Sequence, residues 1–199
     1  MYGNAPLAIG TILSGSLLLT ACGNHHTVSR VTSSGPVTPS AALNISDKER
    51  FAGTLAIHNQ VRAQHGLSRL QWSTKLSNYA QEWANHLASR NNCRMRHRPK
   101  GSPYGENLWW ASPRLWSNGM RELQYVTIER VVNDWANERP YYDYQRNRCQ
   151  IGQQCGHYTQ IVWRDTTHVG CAYQQCADKS QLWVCNYNPP GNYIGERPY

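Results

Sequence analysis

The residue of this chain best suited to chemistry by its type and setting is His157, which follows Gly156 at the start of the run 157–164. A neutral imidazole can bind a divalent metal. The run alternates as a half-buried strand does and is rich in β-branched and aromatic residues, which predicts a central strand over 157–164. His157 would be the first residue of this strand, with its side chain facing a cleft. A lone histidine is more typical of a satisfied core position, so this alternative stays open.

The N-terminal residues are typical of an exported protein with a lipid anchor. The apolar run from Leu7 to Leu19 is too short to span a bilayer stably, and it leads into Leu19-Thr20-Ala21-Cys22, which resembles a bacterial lipobox. We expect a signal peptide over 1–22, with lipidation at Cys22. The anchor would hold the protein on the cell envelope, at the outer membrane if the source is Gram-negative. An ordinary signal peptide cut nearby and a buried apolar N-terminus are the alternatives.

The cysteine count agrees with a lipidated Cys22. Seven cysteines are an awkward odd number for an exported chain, but assigning Cys22 to lipid leaves six. Six cysteines in an exported chain indicate three disulfides, although spacing alone leaves their pairing open. A zinc ribbon is disfavoured, because Cys171 and Cys176 have no second pair at matching spacing.

Composition limits the partners without choosing one. The formal net charge of +8 favours anionic partners such as phospholipid headgroups, acidic polysaccharide or nucleic acid. We expect no nucleic-acid partner, and we predict a monomer. The basic residues around His97 form either an anion-binding rim or a solvated loop; they are Arg94, Arg96, Arg98 and Lys100.

Periodicity and capping signals predict the elements that position these residues. Residues 23–46 lack a hydrophobic period and are rich in Ser, Thr and Pro, which predicts a disordered linker. Helices are predicted from the capping box at Ser46 to Gly66, and over 72–90 and 122–137. Strands are predicted over 105–110, 157–164, 168–175 and 182–187. Helices first and antiparallel strands last indicate an α+β layered domain over 47–199.

Polar residues within the first predicted helix have a structural interpretation. His58, Asn59 and Arg62 lie among apolar residues at helical spacing. We interpret them as buried side chains that brace neighbouring backbone.

Four motifs together resemble the CAP superfamily, named for cysteine-rich secretory proteins, antigen 5 and pathogenesis-related proteins. The resemblance covers residues 47–199 and is nearest to the plant pathogenesis-related class 1 type. Trp183 stands where the family prefers an aliphatic residue, Phe or Tyr. The matching motifs are His58-Asn59-Gln60-Val61-Arg62, Gly105-Glu106-Asn107-Leu108, the run Gly156–Arg164 and the run Cys185–Tyr193.

The resemblance implies a three-layer α-β-α sandwich whose central antiparallel sheet borders a cleft. Its cleft residues correspond to His97, Glu106, Glu138 and His157. Two imidazoles facing one cavity can hold a divalent cation such as Zn²⁺, with Glu106 and Glu138 as supporting partners. The same four residues can instead hold loops together through charge-assisted hydrogen bonds. The resemblance also implies the disulfides Cys93–Cys176, Cys149–Cys155 and Cys171–Cys185.

Two further sites follow from the resemblance. Some members bind sterol through an aromatic loop, which here contains Tyr141, Tyr142 and Tyr144; these tyrosines can instead pack the loop onto the domain. Plant members carry a releasable C-terminal peptide, and Pro189–Tyr199 fits that pattern, unless this tail is tucked against the sheet.

The function predicted from these features is non-catalytic binding of a small apolar or sterol-like ligand, in or near a His/Glu cleft that can take a divalent metal. A metal-dependent hydrolase is the first alternative. It is disfavoured, because the ligands are few and the chain has no His-Glu-x-x-His motif. A protein that contacts a host or envelope partner through its tail or basic rim is the second.

Overall fold

The computed structural model describes residues 47–199, and their side chains from Glu49 onward. The predicted signal peptide over 1–22 with Cys22, the predicted linker over 23–46 and the capping residue Ser46 lie outside these residues. Within the described range, no helix is both long enough and apolar enough to cross a membrane.

The described residues form five α-helices and eight strands. The helices are α1 (Asp47–Arg50), α2 (Thr54–Ala63), α3 (Thr74–Arg90), α4 (Ile128–Ala136) and α5 (Gly156–Ile161). The strands are β1 (Gln71–Trp72), β2 (Gly105–Ala111), β3 (Arg114–Leu115), β4 (Arg121–Glu122), β5 (Tyr142–Asp143), β6 (Arg148–Cys149), β7 (His168–Gln175) and β8 (Gln181–Asn188).

The main sheet has the strand order β1-β7-β8-β2. Strands β7 and β8 pair in antiparallel fashion with Cys171 opposite Cys185, and β2 pairs with β8 so that Glu106 lies opposite Asn186. Strand β1 joins β7 in parallel, so the sheet is mixed rather than wholly antiparallel as predicted. Strand β1 lies beside β7 and runs in the same direction, and the chain continues from β1 directly into α3.

Helices cover both faces of this sheet, as the predicted three-layer architecture requires. On one face, Leu182 and Val184 of β8 pack in a buried cluster with Ala84 and Leu87 of α3. On the other face, the alternate β8 residues Trp183, Cys185 and Tyr187 join a second cluster, which includes side chains of α2, α4 and α5. The period-two alternation along β8 therefore supplies both hydrophobic cores.

Gly170 allows the close approach of α3 to the sheet. A Cβ atom at this position would lie 2.3 Å from the backbone nitrogen of Ser77 and 2.4 Å from the carbonyl oxygen of Ser73. Both atoms belong to backbone at the start of α3 and cannot move aside cheaply. Any side chain at position 170 would therefore push α3 off strand β7.

The prediction of a strand over 157–164 is wrong, because this run begins with helix α5. Residues 158–163 are all buried, so alternation in the sequence could not separate a strand from a helix buried on several sides. Tertiary contacts determine the outcome: Glu138 accepts hydrogen bonds from the backbone N–H groups of His157 and Tyr158 at the start of the helix.

The other predicted helices need smaller corrections. The third helix begins at Ile128 rather than 122, capped by the Thr127 hydroxyl, because Arg121–Glu122 pairs with Arg114–Leu115 as a hairpin. The first predicted helix is divided into α1 and α2 by a turn over 51–53. Phe51, in that turn, is buried against Trp72 and Trp183, which explains the interruption.

All three disulfides expected from the resemblance are present. Cys93–Cys176 joins the loop after α3 to the end of β7, Cys171–Cys185 links β7 to β8, and Cys149–Cys155 closes the loop before α5. Cross-links of this kind are typical of exported proteins and stabilise the fold largely by restricting the unfolded chain.

Candidate functional site

His97 lies in the loop between α3 and β2, and its neighbours fix that loop in place. The Arg98 guanidinium lies 3.7 Å from the ring centroid of Tyr79 and donates a hydrogen bond to the Tyr79 carbonyl. The indole N–H of Trp83 donates to the Arg96 carbonyl at 2.8 Å. Arg98 is therefore a structural residue of the loop rather than a free cation of the predicted basic rim.

Glu106, near the start of β2, binds His97. The Nδ1 atom of His97 donates to Oε1 of Glu106 at 2.8 Å, and the Arg98 backbone N–H donates to the same oxygen at 3.1 Å. The Glu106 side chain is only 7% exposed, whereas that of His97 is 62% exposed. The second carboxylate oxygen, Oε2, is buried without a hydrogen-bond partner among the described residues.

Glu138 and His157 form a second carboxylate–imidazole pair. Glu138 lies two residues after α4, and its Oε1 atom accepts a hydrogen bond from His157 Nδ1 at 2.6 Å. The imidazole of His157 stacks on the indole of Trp135, with ring centroids 5.9 Å apart. The His157 side chain is 23% exposed, which leaves part of the ring accessible.

The hydrogen bonds define the proton positions in both imidazoles. An ionised carboxylate can only accept, so Nδ1 carries the proton in His97 and in His157. The neutral form of each ring then has a lone pair on Nε2, and neither Nε2 atom has a hydrogen-bond partner within residues 47–199. Carboxylate–histidine pairs of this kind orient metal-binding imidazoles.

Three of the four predicted residues line one cleft of about 450 Å³. His97, Glu106 and His157 line it, together with polar neighbours and the Cys149–Cys155 disulfide; these neighbours are Asn107, Gln153, Gln154, Gly156 and Asn192. Glu138 reaches the cleft through His157 rather than by lining it. Within the described part of the chain, no cluster of three or more His, Cys, Asp or Glu side chains could hold a metal ion.

A buried network of hydrogen bonds connects helix α2 to the backbone of His157 in the cleft. His58 Nδ1 donates to the Thr54 carbonyl at 2.8 Å, and its Nε2 accepts from the Tyr187 hydroxyl at 2.9 Å. Asn107 then donates through Nδ2 to the Tyr187 hydroxyl and to the His157 carbonyl. Burial lowers the pKa of His58 to about 4 and raises the pKa of Tyr187.

Arg62 fixes the segment that follows α5. Its guanidinium donates to the carbonyl oxygens of Ile161 and Trp163 at 2.9 and 2.7 Å, and to further carbonyls of Ser68, Arg164 and Thr166. Burial lowers the pKa of Arg62 to about 10. Asn59 pairs with both backbone groups of Leu70. The prediction that these helix residues brace neighbouring backbone is therefore confirmed.

The predicted tyrosine site has a different geometry from the cleft. Tyr142 donates to Asn147 Oδ1 at 2.7 Å, Tyr144 stacks on Tyr199 with centroids 5.0 Å apart, and Tyr141 is 38% exposed. Of the three, Tyr142 lines a cavity of about 360 Å³ that lies between the loop and the C-terminal tail. Ligand binding by these tyrosines stays a prediction.

The C-terminal tail packs against the domain. Asn192 accepts a hydrogen bond from Thr159 at 2.7 Å and donates to the Gly156 carbonyl at 2.8 Å, so both polar atoms of its amide bind helix α5. The Arg164 backbone N–H donates to the Pro198 carbonyl, and Tyr199 stacks on His65 at 4.0 Å. The tail is therefore tucked against the domain, but these contacts are with α5, Arg164 and His65 rather than with the sheet as that alternative expected.

Sequence reasoning missed two residues of the site. Asn107 connects His157 to the buried network, and Asn192 lines the cleft while holding the tail. Both stand inside the family motifs, and that position was the available signal. Nothing in their spacing indicates that they meet.

Comparison with known proteins agrees with the fold and the motifs. The profile of the cysteine-rich secretory protein family matches residues 55–187. The pathogenesis-related protein PR-1 of Medicago truncatula is 45% identical over 142 residues, covering 71% of this chain and 74% of that protein. The pathogenesis-related protein 1C of Nicotiana tabacum is 41% identical over 145 residues, covering 73% and 78%.

Among solved structures, the venom allergen-like protein 4 of Schistosoma mansoni superposes with a TM-score of 0.56 at 27% identity, over 78% of this chain and 95% of that one. The motifs, the fold and these relatives agree. The chain belongs to the cysteine-rich secretory protein family, with a CAP domain that resembles the plant pathogenesis-related class 1 proteins.

Proposed function

We propose that this protein is a non-catalytic binding protein of the cell envelope or extracellular space, whose His/Glu cleft takes a divalent cation such as Zn²⁺. His97 and His157 would supply Nε2 as ligands, and water would complete the coordination. The observation that carries the proposal is that a glutamate holds Nδ1 of each imidazole. Such pairing leaves Nε2 in the metal-binding form.

The chemistry of the donor set supports a weakly held, exchangeable cation. The buried Oε2 atom of Glu106 lacks a partner among the described residues, and a nearby cation would satisfy it. Only two imidazoles line the cleft, fewer than the three protein ligands of catalytic zinc sites. A bound cation with open positions would supply positive charge to a small polar or anionic ligand.

Glu138 is poorly placed to act as the general base of a hydrolase. Its Oε1 atom accepts from His157 Nδ1, and its Oε2 atom accepts from two backbone N–H groups. Glu106 is the other candidate base. If the hydrolase alternative holds, activity would be lost on chelation and in Glu106→Ala; activity indifferent to both would exclude it.

Isothermal titration of the full chain with Zn²⁺ tests the cation site. We expect saturable binding that is lost in the double variant His97→Ala/His157→Ala. The matched control is His25→Ala/His26→Ala, because these neighbouring histidines could also bind metal. Binding that survives in the first variant and disappears in the control would refute the cleft site.

An apolar or sterol-like ligand has a candidate cavity away from the cleft. Phe51, Leu55 and Trp72 line a cavity of about 450 Å³ beside α3, together with the polar residues Thr74, Ser77 and Asn78. Apolar walls with a few polar groups and this volume are typical of small-molecule sites. The tyrosines Tyr141, Tyr142 and Tyr144 remain the competing site for the same ligand.

Titration with a fluorescent sterol and a fluorescent fatty acid distinguishes the two sites. Leu55→Arg should abolish binding if the α3 cavity is used, whereas Tyr142→Ser should abolish it if the tyrosine loop is used. No saturable binding of either probe by the unaltered chain would remove this part of the proposal.

Export is supported by the three disulfides and by the family. Lipidation at Cys22 is part of the proposal, and intact-mass spectrometry of the membrane fraction tests it. A Cys22→Ala variant that stays in that fraction would argue against the lipid anchor. Contact with a host or envelope partner through the tail or the basic rim remains the second alternative.

A further inference from the structure

An exposed hairpin outside the four motifs carries three exposed apolar side chains. Strands β3 and β4 form a separate two-stranded sheet; Leu115 ends β3, and the connection between the strands contains Trp116 and Met120. These side chains are 67%, 48% and 57% exposed. Clustered exposure of large apolar groups is unfavourable in water and marks interaction surfaces. We call residues 115–120 the hairpin tip.

The hairpin tip is an ordered turn. The Trp116 N–H donates to the Met120 carbonyl at 3.0 Å, and the Gly119 N–H donates to the Trp116 carbonyl at 2.9 Å. The Met120 N–H donates to the Asn118 side chain at 2.9 Å. Because these bonds close the turn, the apolar side chains are held outward and do not fold back onto the domain.

Polarity along the hairpin is arranged in layers. The hairpin tip contains no charged residue, whereas Arg114 and Arg121 flank it on the two strands. Trp116 spans the boundary, because its indole N–H donates to Glu122 Oε2 at 3.0 Å while much of its ring stays exposed. The Arg114 guanidinium lies 5.9 Å from the Trp116 ring centroid.

The acidic groups in this region are already engaged. Glu122 accepts the Trp116 N–H, and Asp178 lies 3.8 Å from the Arg121 guanidinium and accepts hydrogen bonds from Ser180. Arg121 is thus already paired with Asp178, whereas the exposed Arg114 side chain has no ion-pair partner among the described residues and keeps the capacity to bind an anion.

We propose that the hairpin tip inserts into the headgroup region of a phospholipid bilayer that contains anionic lipids. Apolar residues at a tip, an amphipathic Trp at the boundary and flanking arginines are the arrangement that favours the membrane interface. The formal net charge of +8 attracts an anionic surface before contact. Insertion would be shallow and reversible, and it does not depend on the cleft or on Cys22.

A second copy of this chain fits the surface less well. A stable protein–protein interface needs roughly 800 Å² from each partner. A narrow turn with three apolar side chains offers much less than that, whereas a fluid bilayer can surround it on all sides.

Vesicle flotation of the full chain tests the proposal. We compare vesicles of phosphatidylcholine alone with vesicles that contain one-third phosphatidylglycerol, using the triple variant Leu115→Ser/Trp116→Ser/Met120→Ser. The matched control is Ile151→Ser/Ile194→Ser, which removes two fully exposed apolar side chains elsewhere and keeps the same N-terminal segment. Thermal unfolding midpoints equal to that of the unaltered chain verify folding.

We expect the triple variant to bind anionic vesicles roughly tenfold more weakly, with the control unchanged. Brominated lipids should quench the unaltered chain more than Trp116→Phe, which reports insertion of that ring. Equal binding and equal quenching in all variants would overturn the proposal. Loss of a dimer in the triple variant by analytical ultracentrifugation, without an effect on vesicle binding, would assign the surface to self-association instead.

Discussion

The Glu138 carboxylate binds both the side chain and the backbone of His157: Oε1 accepts from His157 Nδ1 at 2.6 Å, and Oε2 accepts from the His157 backbone N–H at 2.9 Å. One carboxylate therefore orients the imidazole and also binds the first turn of α5. The function of the cleft and the stability of this short helix depend on the same side chain.

Replacing Glu138 should cost stability as well as the geometry of the cleft. Glu138→Gln removes the charge and one acceptor from a side chain that is 14% exposed, so we expect about 2 kcal/mol lower free energy of unfolding. Urea denaturation measures this. Glu82→Gln is the control, because that carboxylate is 73% exposed and should cost less than about 0.5 kcal/mol. Equal effects of the two changes would contradict our account of Glu138.

Stability should fall in mild acid because of His58. Its folded-state pKa of about 4 lies below the unfolded value of 6.5, so the unfolded chain binds the proton more readily. The stabilisation is fully present above pH 6.5 and is lost as pH falls toward 4, by roughly 3 kcal/mol. Burial lowers the pKa of His65 as well, which adds a loss of the same sign.

Urea unfolding between pH 7 and pH 4 checks this prediction. His58→Gln should be less stable at pH 7 and show a flatter dependence on pH, whereas His86→Gln, at an exposed position, should keep the slope of the unaltered chain. An unchanged slope in His58→Gln would show that other groups control the acid response.

Arg62 should not tolerate replacement by lysine. The guanidinium donates to carbonyls of five residues, including Ile161 and Trp163, and a lysine ammonium can neither reach them all nor reproduce the planar fork. We expect Arg62→Lys to lower the free energy of unfolding by about 3 kcal/mol. Hydrogen exchange should accelerate over 161–166. Faster hydrogen exchange around residue 62 alone, with no change over 161–166, would contradict this prediction.

The packing of the tail should protect it from proteases. Asn192→Ala removes the hydrogen bonds to Thr159 and Gly156, and we expect faster cleavage within 189–199 under limited proteolysis. Glu196→Gln is the control, because this side chain is exposed. Intact-mass spectrometry identifies the cut. Rapid cleavage of the unaltered chain after Asn188 would instead favour the releasable-peptide alternative.

The sequence predicted the elements that carry a clear period. Strands β7 and β8 lie within a residue of the expected bounds, and α3 ends at Arg90 as predicted. Helix α5 was mistaken for a strand because Tyr158 and Ile161 are buried from several directions, which no linear pattern encodes. The β3–β4 hairpin was missed because strands of two residues leave no alternation to detect.

The candidate site depended on the resemblance more than on the residues themselves. His97 and Glu106 are nine positions apart, while Glu138 and His157 are nineteen apart. Spacing alone does not indicate that either pair forms a hydrogen bond. The orphaned Oε2 atom of Glu106 and the bridging role of Asn107 emerge only from the folded chain.

Asn192 stands at the boundary of two hollows, since it borders both the His/Glu cleft and the cavity beneath the tail. The Cys149–Cys155 cross-link and Gly156 are likewise shared by both. A protease that cleaved the chain before Asn192 would therefore release a peptide and also remove a residue that lines both hollows. The cross-link and Gly156 would remain, but each hollow would lose the wall that Asn192 supplies.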